Sequence, residues 1–98
     1  MNEGNDIMAF EGMDVDLAET QVRQLNSQAQ SLHDLISQID GTVATLEQAW
    51  VGKDATEFSQ QWQGQHKVNL NNARQEIENM AVTTQRNITQ QQDASNTL

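Results

Sequence analysis

Cysteine, proline and tyrosine are all missing from this chain of 98 residues. Without cysteine there is no disulfide framework and no thiolate metal site, and the redox compartment stays open. Without proline, and with only five glycines, nothing forbids two long uninterrupted helices. Basic side chains are scarce, five Lys and Arg against 14 Asp and Glu, for a formal net charge of -9. That balance argues against nucleic acid as a partner, because phosphates select basic surfaces. It argues equally against anionic membrane. No apolar run approaches the roughly 18 residues of a membrane span, so no stable membrane insertion is expected. The stretch from Met1 to Phe10 has neither a cationic n-region nor an apolar h-region, so it does not read as a secretory signal peptide. At this length the chain is one domain at most. It buries little core alone, and association is a natural way to cover the rest.

What is present is periodicity. Val15, Ala18, Val22, Leu25, Ala29, Leu32, Ile36, Ile39, Val43, Leu46 and Trp50 follow one another in strictly alternating steps of three and four. Such a pattern predicts a helix packed along a coiled-coil-like seam, over about 14–50. Asp14 or Asp16 is placed to cap it, with Glu19 adding negative charge near its start. Leu17 and Leu35 lie beside the seam and widen it, as a helix touching more than one neighbour needs. Gly41 lies inside the helix and off the seam, where it marks a close crossing, a slight bend or nothing at all.

Trp50-Val51-Gly52 stands at the middle of the chain. Gly52 suits a helix C′ position, where positive φ is cheap only for glycine. Asp54 and Glu57 read as a capping box that starts a second helix. The connection is then residues 51–53, and a link that short makes the helices antiparallel neighbours. The second helix is predicted over about 54–90. Its seam is Ala55, Phe58, Trp62, His66, Leu70, Ala73, Ile77, Met80, Thr84 and Ile88. Consecutive steps of four around His66 form a stutter that locally unwinds a supercoil. Large apolar residues give out toward the C-terminus, so fraying is expected between Asn87 and Asp93. Residues 1–12 and 91–98 read as flexible tails flanking a hairpin over 13–90. The fold class is all-α, an antiparallel helix-turn-helix hairpin dimerising into a four-helix bundle. Leu25, Leu32, Ile36, Ile39, Val43, Leu46, Phe58, Trp62, Leu70 and Ile77 carry its packing.

Chemistry-bearing residues are few. His33 and His66 are the only histidines, short of the three or four ligands a zinc site wants. Asp14, Asp16 and Glu19 need no metal, since the helix dipole accounts for them. Glu76 and Glu78 read as a solvated face. No glycine-rich phosphate loop follows a strand, and no serine has a histidine and an acid at credible spacing. No catalytic residue, cofactor or metal is expected, and the chain is not read as an enzyme. Trp50 and Trp62 are expected to anchor the turn end with Phe58, each with one edge free for recognition.

Together, the central Trp50-x-Gly52, the flanking proline-free amphipathic helices, and Ala55, Phe58 and Trp62 after the turn resemble the WXG family. These are the small substrates of type VII (Esx) secretion systems, also called the early secreted antigen family. The resemblance covers about residues 13–90. It implies a helical hairpin that pairs with a second WXG protein, as a homodimer or a heterodimer. It implies export without a cleaved signal through a membrane ATPase, from the cytoplasm to the outside. It also implies a composite signal, in which the turn of one subunit lies near its partner's C-terminal tail. Many members carry Tyr-x-x-x-Asp/Glu in that tail. Here the nearest spacing runs from Thr89 to Asp93, with Thr89 where the tyrosine would stand. Either the signal is degenerate, or a partner supplies the tyrosine, or another tail is read. Two other functions fit the same pattern. One is a cytosolic coiled-coil scaffold or adaptor. The other is a secreted effector that perturbs membranes through amphipathic helices, against which the net charge argues.

Overall fold

Helix α1 begins where its first amides find an acceptor. The computed structural model describes residues 13–97, the last three by backbone alone. In it Asp14 Oδ1 accepts the Leu17 N–H at 3.1 Å and caps α1, Val15–Ala49. Its 35 residues make a rod of about 50 Å at 1.5 Å per residue. Trp50, Val51 and Gly52 lead into α2, Lys53–Gln61. A π-turn over Trp62–His66 joins α2 to α3, Lys67–Thr97. The described residues therefore form two long helical arms, with no strand among them. The whole measures 67 × 25 × 16 Å, an all-α helical hairpin. No helix among the described residues is long and apolar enough to cross a membrane.

The arms run antiparallel. Val22, early on α1, packs with Ala81 and Ile88, late on α3. Ile36 and Val43 pack with Trp62, and Leu32, Ile39 and Leu70 close around them. On α1 the expected seam holds from Val15 to Val43, every member buried or half-buried. It fails at Leu46 and Trp50, which are 40% and 44% exposed.

On the second arm the seam is only partly as the spacing predicts. Ala55, Trp62, Leu70, Ile77, Thr84 and Ile88 face inward. Phe58, His66, Ala73 and Met80 do not; Ser59, Lys67, Arg74 and Ala81 take their places. The cause lies in the π-turn. The Lys67 N–H donates to the Trp62 carbonyl, five residues back, so one extra residue enters the turn and the inward positions shift by one. The expected stutter around His66 is thus met by a π-turn inside the helix.

Two boundaries also differ. The second arm does not fray between Asn87 and Asp93 or end near 90; α3 continues to Thr97. No glycine or proline follows Gly64, glutamine is a good helix former, and fully buried Ile88 ties the last turns to α1. Residues 1–12 and Leu98, read as flexible from the sequence, lie outside the described residues. Gly41 marks no close crossing, since a Cβ there would meet nothing within 4 Å.

Candidate functional site

Trp50 ends α1 with its N–H bonded to the Leu46 carbonyl at 2.8 Å and its own backbone extended, at φ -129 and ψ 113. Gly52 follows at φ 143 and ψ 176, a region open essentially only to glycine. The positive φ is as expected, but its role is different. Gly52 starts α2 instead of closing α1. Its carbonyl accepts the Thr56 N–H at 3.2 Å and the Thr56 hydroxyl at 3.2 Å. The capping box of Asp54 and Glu57 does not form. Helix α2 opens at Lys53, so Asp54 already lies inside the first turn, and no side chain caps the helix. There its charge still suits the helix dipole.

This backbone turns apolar side chains outward at one end of the hairpin. Val51 is 91% exposed, Trp50 and Phe58 44% each. The sequence placed Leu46 and Phe58 in the packed seam. Between the arms at this end stand Ala55 and Ser59 instead, both buried. Ser59 Oγ donates to the Glu47 carboxylate of α1. That bond holds Ser59 inward and leaves Phe58, about 100° round the helix, on the outside. A cleft of about 380 Å³ opens among Glu47, Trp50, Val51, Ala55 and Ser59. An apolar rim over one carboxylate is suited to recognising another protein's side chains.

The two tryptophans part company. Trp62 is 6% exposed and its Nε1–H donates to Asp40 Oδ1 at 2.7 Å. Lys67 Nζ reaches Asp40 Oδ2 at 2.6 Å, and Gln63 Nε2 donates to Oδ1 at 3.4 Å. The Lys67 ammonium, and after it the Trp62 indole N–H, hold the Asp40 carboxyl below its ordinary value of 3.8. Asp40, Lys67, Ser59 and Glu47 had no part in the sequence reading. One signal pointed at them: a buried indole N–H needs an acceptor, and Asp40 stands across the seam from Trp62.

Thr89 and Asp93 are both exposed on α3, one turn apart and so on one face. They lie late on α3, at the end of the hairpin opposite the turn. A single chain does not bring them to Trp50. His33 and His66 are exposed on separate arms. Comparison of the chain with known protein families, with curated proteins and with solved structures returns no match.

Proposed function

We propose that this chain is a small type VII secretion substrate or export partner of the WXG kind, which works as a pair of hairpins in a four-helix bundle. The observation that carries the reading is the tip itself. Trp50 and Val51 are held in the open, between two proline-free helices, by a turn that only glycine closes. A buried tryptophan at that position would need no further explanation; one 44% exposed is available to a binding partner. The partner we assign to it is the export ATPase, together with the tail of a second WXG chain, whether a copy of this one or another.

Pairing has its own support. Leu17 and Leu35 are 58% and 50% exposed and lie five full turns apart on α1, on one line of the helix. Leu46 falls three turns further along the same line, 40% exposed. Such a row is the kind of surface a second hairpin covers.

Export from a type VII-competent cell tests the reading. Trp50→Ala lowers the amount in the medium while circular dichroism stays helical. Unchanged export of that variant rejects the turn as the recognised element. The apolar row alone suits a cytosolic scaffold equally well. Natural protein absent from a medium free of cytosolic marker selects that second reading.

A further inference from the structure

Residues five apart sit about 140° from each other around an α-helix. Trp62 and Lys67 of an unbroken helix therefore cannot reach one carboxylate. In this chain they do, at 2.7 and 2.6 Å from the two oxygens of Asp40. The π-turn makes it possible, because Lys67 comes back over Trp62 when its N–H bonds the Trp62 carbonyl. The dependence runs both ways. The π-turn gathers three donors onto Asp40, and Asp40 holds the ends of the π-turn together. Isolated π-turns inside helices are rare, and Gly64 within this one adds nothing to hold it. Without the pin the arm has reason to return to α.

That return has a destination already written in the chain. With no extra residue in the turn, the inward positions beyond it are His66, Ala73 and Met80 instead of Lys67, Arg74 and Ala81. Leu70, Ile77, Thr84 and Ile88 serve both registers. The change exchanges an inward arginine and alanine for an alanine and a methionine. Met80 is now 58% exposed and Ala81 2%, so the alternative seam is no poorer in apolar surface than the observed one.

We propose that the second arm has two registers and that Asp40 selects between them, as a positioning residue acting through Trp62 and Lys67. With Asp40 engaged, the π-turn stands, Ala81 is inside and Met80 outside. With Asp40 lost, α2 and α3 merge into one α-helix, α3 turns by about one residue's rotation relative to α2, and Met80 goes inside. The register thus sets which face of the second arm a partner meets.

The chain has no cysteine, so single cysteines report the register by their rate of maleimide labelling under native conditions. In the full-length chain the Ala73→Cys variant labels fast and the Ala81→Cys variant slowly. Adding Asp40→Ala slows the first and speeds the second, each by roughly tenfold as the sites exchange burial. An unchanged pattern, in protein still helical by circular dichroism, overturns the proposal. Deleting Gly64 supplies the second arm of the test. Removing that one residue leaves a continuous α-helix with Lys67, Arg74 and Ala81 inward and no π-turn to hold. The deletion keeps Ala81→Cys protected, and Asp40→Ala then changes nothing. Should Asp40→Ala unfold the full-length chain, survival of the fold in the deletion background supports the pin. Unfolding in both backgrounds makes Asp40 merely structural and overturns it, as does fast labelling of Ala81→Cys in the deletion chain.

Discussion

The Trp62 indole donates to the Asp40 carboxylate at 2.7 Å across the two arms, 22 positions apart in the chain. Trp50, twelve residues earlier, has no such partner and keeps 44% of its surface open. Two residues of one type therefore hold different posts, one in the core and one at the tip.

Truncation separates them. Removing a buried large aromatic costs about 3–5 kcal/mol, so Trp62→Ala takes most of the stability of a small domain and melts early or not cooperatively. Trp50→Ala, at a half-open site, costs about 1 kcal/mol or less. Urea unfolding followed by circular dichroism measures both. Equal losses would mean that Trp50 is also a core residue in solution.

Acid weakens the hairpin through Asp40. Its carboxyl titrates below 3.8 in the folded chain, held down first by Lys67 and then by Trp62. The unfolded chain takes up that proton more readily, so stability rises with pH across this range. The contribution is fully present above 3.8 and is lost as pH falls through the folded value. Natural protein is then more stable than Asp40→Asn by a constant margin from about pH 7 down to about pH 5, and the margin shrinks toward about pH 3. A margin independent of pH would place the effect outside this ionisation.

Glycines 41 and 52 respond to alanine with opposite signs. Neither has an atom within 4 Å of a prospective Cβ, so crowding decides nothing. Gly41 is helical, and Gly41→Ala stabilises by about 0.5–1 kcal/mol. Gly52 has φ 143, and Gly52→Ala destabilises by about 1–3 kcal/mol through backbone strain. Thermal melts of the two variants beside the natural chain give the signs directly.

Association reads out at Leu35. If the bundle forms through the row of Leu17, Leu35 and Leu46, a charge at its centre opposes it. Leu35→Glu then shifts light scattering toward the mass of one chain, 11.0 kDa, with helicity unchanged where the single hairpin persists. A natural chain that is itself a folded monomer at micromolar concentration removes the homodimer.

The first arm was legible almost to its end. Eleven apolar residues in unbroken alternation left one face to bury, and nine of them are at least half-buried. The Asp14 cap and the glycine requirement at 52 were legible for the same reason: each is a local backbone matter, decided within a few residues. Leu46 and Trp50 escaped the pattern because their burial depends on what stands opposite. The opposing arm presents Ala55 and Ser59 there, too small to cover them.

The second arm shows where periodicity stops being enough. Its sequence supports two inward faces that share Leu70, Ile77, Thr84 and Ile88, and spacing alone prefers the one with Phe58, His66 and Met80. The other face is occupied because Glu47 takes Ser59 and Asp40 takes Trp62 and Lys67. Those partners lie far away along the chain, and no local repeat contains them. Two helices, their antiparallel return and the place of the turn follow from residue pattern, since helix period and glycine backbone freedom act over a few neighbours. The π-turn, the register beyond it and the open tip at Trp50 follow from bonds between the arms, which exist only once the hairpin has closed.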